Sequence, residues 1–174
     1  GNLRQLASRR LVEQGRRSGC IRDREIGRVD DPPAVEEFEL ITRAFRAAGG
    51  DELFLSFEAP FPIGTEADRD GFDRGMPVTN GEIHEWSPED PPGGVLAGFL
   101  RMRRPSEDVW REELGEDMAI VREVKIFGRA VGLGENSEQA SQHRGLGTRL
   151  MHRAEQHAAE LWGVERIFVT AGVG

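Results

Sequence analysis

Ser141-Gln142-His143-Arg144-Gly145-Leu146-Gly147-Thr148, running on into Arg149-Leu150-Met151-His152-Arg153-Ala154-Glu155, is a loop with two glycines one residue apart that opens a helix. The glycines let backbone approach a ligand closely. Their N–H groups, together with the positive end of the helix dipole, then face an anion such as a pyrophosphate. Leu146, Leu150, Met151, Ala154, Ala158 and Leu161 recur at three- and four-residue intervals, so one face of this helix is buried. On these residues alone a second reading stays open, that of an ordinary glycine-containing start of a surface helix. The stretch matches neither the Gly-x-x-x-x-Gly-Lys phosphate loop nor the longer dinucleotide fingerprint.

Around it, the spacing predicts a helix over 3–15, carried by Leu3, Leu6, Ala7, Leu11 and Val12. Residues 36–46 fit helix or strand. The turn at Gly49-Gly50 and the apolar run Leu53-Phe54-Leu55 favour a hairpin. A long loop rich in Pro, Gly and acids runs from about Pro60 to Gly94, with a strand from Gly98 to Met102 after it. Met118 to Phe127 reads as a central strand, Gly132 to Gln139 as a second acidic loop, and 165–170 as a buried strand after a helix ending near Trp162. Strands, then a glycine-opened helix, then another strand make an α/β arrangement with the ligand at the strand-to-helix junction.

The pattern Gln/Arg-x-x-Gly-x-Gly/Ala resembles the acetyl-CoA loop of the GNAT acetyltransferases. Further stretches narrow the resemblance: Arg122-Glu123-Val124-Lys125-Ile126-Phe127-Gly128, Val169-Thr170-Ala171-Gly172-Val173-Gly174, Asn2-Leu3-Arg4-Gln5-Leu6, Cys20 to Gly27 and Gly49 to Glu58. In this order and spacing they are similar to the catalytic subunit of Elongator, a radical-SAM and acetyltransferase family acting on the wobble uridine of tRNA. The likeness spans nearly the whole chain apart from the two acidic loops.

That resemblance implies a GNAT-like acyl-CoA N-acyltransferase fold, a mixed and mainly antiparallel sheet with flanking helices, incomplete at the C-terminus. Residues 1–30 would be the tail of a radical-SAM domain or linker, and 31–174 the acetyltransferase domain. The chain is expected to be an internal fragment. S-adenosylmethionine and a 4Fe-4S cluster belong only to the N-terminal domain it lacks. The tyrosine that contacts acetyl-CoA in the family is also expected beyond it, since the chain contains no Tyr.

The resemblance places acetyl-CoA against Glu123, Val124, Lys125 and Ile126, whose strand backbone lies along the pantetheine arm, and against Gln142, His143, Gly145, Leu146, Gly147 and Thr148. Glu123 and Lys125 are the candidate catalytic residues. Lys125 stands where the family shows His, and an unperturbed Lys stays protonated near neutrality. Cys20 and Asp23 occupy a segment that is Cys-rich in relatives, but one thiolate and one carboxylate do not make a zinc site, and no metal is assigned. His152 and His157 are five apart, not the chelating i, i+4 spacing, and read as surface residues; His84 receives no role.

The net charge of −8 is uneven: residues 1–28 carry eight arginines against three acids, or +5, which leaves −13 for the rest. Arg9, Arg10, Arg16 and Arg17 are the candidate tRNA contacts, with a solvated helix face as the plainer alternative. A single cysteine fits a reducing cytoplasm, and no run of eighteen apolar residues points to a membrane. The partners expected are tRNA and acetyl-CoA, with a homo-oligomer left open. Two other functions remain: a conventional GNAT enzyme acetylating a protein or small-molecule amine, and a non-enzymatic module that binds acyl-CoA or RNA.

Overall fold

The computed structural model describes residues 2–14, 19–29, 31–62, 82–90, 93–106, 114–115, 117–128 and 145–170. Among these residues three α-helices, α1 (Asn2–Glu13), the single turn α2 (Ile21–Arg24) and α3 (Leu146–Trp162), accompany six strands: β1 (Glu39–Ala47), β2 (Gly50–Ala59), β3 (Ile83–Glu85), β4 (Val95–Arg104), β5 (Met118–Ile126) and β6 (Arg166–Val169). The strands form one sheet in the order β3-β1-β2-β4-β5-β6. β1–β2, β2–β4 and β4–β5 are antiparallel, while β3 and β6 join parallel to their neighbours. This is the mixed, mainly antiparallel α/β architecture expected, with the GNAT-like fold implied by the resemblance.

The ambiguous stretch 36–46 resolves into a 3-10 turn at Val35–Glu37 followed by β1. Nine paired positions with β2 outweigh the weak helical pattern. The hairpin turn lies one residue earlier than expected, on Ala48 (φ 45°) and Gly49 (φ 76°), with Gly50 already paired to Ala47. Two positive φ values are what a two-residue turn needs to match strand twist, so Ala48 carries strain that glycine would not. Gly50 instead permits a close approach of strands, since an added Cβ would sit 2.7 Å from the Arg104 carbonyl oxygen.

Along β2, Leu53, Leu55 and Phe57 alternate with Phe54, Ser56 and Glu58, and the two sets face opposite sides. The odd-numbered side meets α3, whose Leu146, Leu150, Ala154 and Ala158 are buried in one cluster with Leu53, Leu55, Phe57 and Leu100. Burying Leu150 alone contributes about 1.5–3 kcal/mol. α3 stops where expected: the Gly163 and Val164 N–H groups cap the Ala159 and Ala158 carbonyls.

Met118–Ile126 is an interior strand as expected, paired with β4 on one side and β6 on the other. Two expectations need correcting. The 60–94 stretch is not all loop, because Ile83–Glu85 pairs with Thr42–Ala44 as β3. β6 is the last strand on its side of the sheet among the described residues and is exposed rather than buried, with Phe168 41% and Val169 55% accessible. Its apolar residues resemble a buried strand only because exposure of an edge is invisible in composition.

Candidate acyl-coenzyme A site

Gly145 precedes α3 with φ 92° and ψ −11°, a left-handed conformation that glycine adopts without penalty. Among the described residues no side chain caps the helix start, and the first turn holds no acidic residue. The N–H groups at the start of a helix have no intrahelical partner and can donate to an external anion. A Cβ on Gly145 would meet nothing within 4 Å, which leaves the approach open among the described residues.

β5 supplies the second wall. β4 pairs with it from Ile120 to Ile126, with Arg122 as the extra residue of a bulge between the Arg101–Glu123 and Met102–Val121 pairs. On its other side β6 pairs only with Met118–Val121, and the last bonds run from the Thr170 N–H and hydroxyl to the Val121 carbonyl. From Arg122 to Ile126 no described strand pairs with that side. Unpaired main-chain donors and acceptors there can bond an extended amide chain. This open edge ends beside the helix start: an added Cβ on Gly147 would lie 3.7 Å from Ile126 Cγ1.

Leu146 is buried in the core, Gly147 is half-buried, and Thr148 is exposed. The strand register sends Val124 and Ile126 to the α3 side, and Glu123 and Lys125 to the other. Both of the latter are exposed. The Lys125 ammonium lies 5.1 Å from the Phe127 ring centre and 4.0 Å from Glu25 Oε1. Gln142, His143, Arg16 and Arg17 lie outside the described residues; Arg9 and Arg10 are exposed on α1, where Arg10 pairs with Glu13 at 3.1 Å.

The face opposite α3 holds charges that the sequence reading missed. Glu58 is wholly buried, yet Arg43 grips it at 2.7 and 3.2 Å, Ser56 donates at 2.6 Å, the Gly94 N–H at 3.1 Å, and Arg24 lies 2.8 Å away. Burial pushes the Glu58 carboxyl up, but Arg24 and Arg43 outweigh it and hold the group below its ordinary value. The Arg24 Nε also donates to the Gly94 carbonyl at 2.8 Å. Gly93 (φ 89°) has no room for a side chain here, since a Cβ would fall 2.3 Å from Arg24 Nη2. Thus residues 21–28 are fastened to the sheet, with Ile26 in the core. A second buried acid, Glu52, accepts from Arg103 and Arg122, each at 2.9 Å.

His157 is not a surface residue: it is 5% exposed and its Nε2 lies 3.2 Å from Thr42 Oγ1. The five-residue spacing from His152 was uninformative because α3 presents the two on different faces. Burial, then the charge of Arg153, lowers the His157 pKa, with Glu160 opposing. His84 bonds Asp90 at 2.6 Å. Cys20 is exposed, and among the described residues no cluster of three or more His, Cys, Asp or Glu could hold a metal. No helix among them is long and apolar enough to cross a membrane.

No family model matches the chain. Similarity to individual proteins is extensive. The chain is 35% identical to Elongator complex protein 3 of Dictyostelium discoideum and 34% identical to that of Homo sapiens, each over 176 aligned residues covering all of this chain. It spans 26% of the length of either relative. Among solved structures it is similar to the archaeal Methanocaldococcus infernus Elp3 with an N-terminal deletion, at TM-score 0.68 and 30% identity, over 99% of this chain and 34% of that one.

Proposed function

Because this chain is homologous along its whole length to Elongator complex protein 3, we propose that it is the acetyl-CoA-binding part of an enzyme that modifies the wobble uridine of tRNA towards 5-carboxymethyluridine. The observation that carries the reading is the meeting of the α3 start, which no described side chain caps, with the Arg122–Ile126 edge, which no described strand pairs. Phosphates bind at the N–H groups of Gly145 to Thr148, and the pantetheine amides bond the β5 backbone at Glu123 to Ile126. Gln142 and His143 complete the loop in this assignment. The sheet then separates the phosphates on the α3 side from the acceptor on the side of Glu123 and Lys125.

Glu123, exposed beside that edge, is the proposed proton acceptor. Lys125, held between Glu25 and the Phe127 ring, orients rather than abstracts. Residues 1–30 act as the join to a radical-SAM domain, and 31–174 as the acetyltransferase domain. In the longer protein, S-adenosylmethionine and a 4Fe-4S cluster would supply the radical chemistry, held in the N-terminal domain that the resemblance implies. Arg9, Arg10, Arg16 and Arg17 serve tRNA phosphates, and the setting is cytoplasmic.

The test is thioester consumption by the full-length enzyme with tRNA, without tRNA, and with a peptide amine in its place. Consumption that depends on tRNA supports the reading. Consumption driven by the amine alone would replace it with a conventional N-acetyltransferase.

A further inference from the structure

The face opposite α3 carries a recess of about 320 Å³ bounded by Arg24, Arg43, Phe45, Phe54, Trp86 and Asp90. It lies at the β1–β3 end of the sheet. Three strand spacings, about 14 Å, separate β1 from β5. The recess therefore does not belong to the edge that takes the acyl donor.

Its walls are aromatic. Trp86 is 46% exposed, an unusual position for so large an apolar ring, and it meets Phe45 edge to face at 6.1 Å. Its backbone is fixed, because the Trp86 N–H bonds the Ala44 carbonyl at 2.9 Å and so prolongs the β3 pairing. Phe54 stacks on Phe99 at 5.4 Å, and Phe99 contacts Phe127 at 6.0 Å, a row of rings from the recess to β5.

The floor is cationic, with two buried guanidiniums sharing the single carboxylate of Glu58. The Arg24 Nη2, although 2.8 Å from Glu58 Oε2, is a buried donor without an aligned acceptor. The rim supplies a fixed acceptor: Asp90 is held by His84 at 2.6 Å and by the Ser87 N–H at 2.8 Å. Rigid rings beside guanidiniums and one carboxylate suit a flat ring that carries both carbonyl oxygens and N–H groups. Unpaired nucleobases have that chemistry, and they bind proteins by stacking on aromatic side chains and arginine.

We propose that this recess is a stacking subsite for one unpaired base of an RNA, a neighbour of the base that reacts and not that base itself. The proposal rests on the reading of RNA as the acceptor. The roughly 14 Å offset from β5 makes the subsite a register device: seating one base there fixes which nucleotide reaches the acyl group.

A 5′-labelled heptauridylate, titrated with the full-length protein at low salt and followed by fluorescence anisotropy, is the probe. Trp86→Ala and Phe45→Ala should each weaken binding about tenfold, within the range for loss of one stacked base, while Trp86→Phe stays near wild type. Acetyl-CoA affinity should be unchanged in all three variants, which reports an intact fold. A heptamer abasic at every position should bind wild type and Trp86→Ala alike, because it has no base to seat. Equal heptauridylate affinity for wild type and Trp86→Ala, or a Trp86→Ala loss that persists with the abasic heptamer, overturns the subsite. If the heptamer fails to bind wild type that still binds acetyl-CoA, RNA as the acceptor falls and the subsite with it.

Discussion

Arg43 holds Glu58 with both terminal guanidinium nitrogens, at 2.7 and 3.2 Å, where neither side chain is more than 8% exposed. Removing one partner of such a pair leaves the other charge buried, and this loss exceeds the net worth of the pair. Glu58→Gln keeps the shape but strands both Arg24 and Arg43. It should lower stability by about 3–5 kcal/mol in urea denaturation. A change below about 1 kcal/mol would mean that water reaches the cluster.

The pH dependence should have two steps. His157 has a folded pKa below its ordinary 6.5, so its contribution is complete above about 6.5 and is lost as pH falls below that value. Glu58 is also depressed, below 4.5, so its contribution is lost only as pH falls beneath that lower limit. His157→Gln should therefore flatten the stability profile below 6.5 and leave the step below 4.5 intact. Unfolding free energies measured from pH 7.5 to 3.5 test this, and an unchanged slope between 6.5 and 4.5 would contradict the assignment to His157.

Gly145→Asp puts a carboxylate at the anion-binding end of α3, and at φ 92° it adds backbone strain. Acetyl-CoA affinity should fall at least about tenfold, equivalent to about 1.4 kcal/mol. Calorimetric titration checks this, with thermal unfolding as the control for fold.

Changing Arg9, Arg10, Arg16 and Arg17 to Gln in the full-length protein should weaken tRNA binding about equally across tRNA sequences, because phosphate contacts carry no base information. The slope of log affinity against log salt should become shallower by about 0.7–0.9 for each phosphate no longer neutralised. Acetyl-CoA affinity should hold. An unchanged slope would make these arginines a solvated helix face.

Much of the fold is legible in the residues, and the failures have physical causes. The 3.6-residue recurrence of Leu146, Leu150, Ala154 and Ala158 locates α3 because a buried stripe on a helix leaves that signature. β3 is three residues long and joins the sheet by a parallel pairing with a distant strand, which no local pattern reports. The recess of Trp86, Phe45 and Arg43 escapes notice for the same reason. Glu58 could have been found from the alternation Leu55, Ser56, Phe57, Glu58, which puts a carboxylate on the face with Arg43, but its burial depends on α2 and Gly93 closing over it.

The central claim is that acetyl-CoA lies across the α3 start and the open edge of β5. Amide hydrogen exchange of the full-length protein, with and without saturating acetyl-CoA, tests it most directly. The account predicts added protection at 122–126 and 145–148, because those backbone groups gain partners when the thioester binds. Acetyl-CoA that binds yet leaves both segments unprotected, or protects a different part of the sheet, would contradict it.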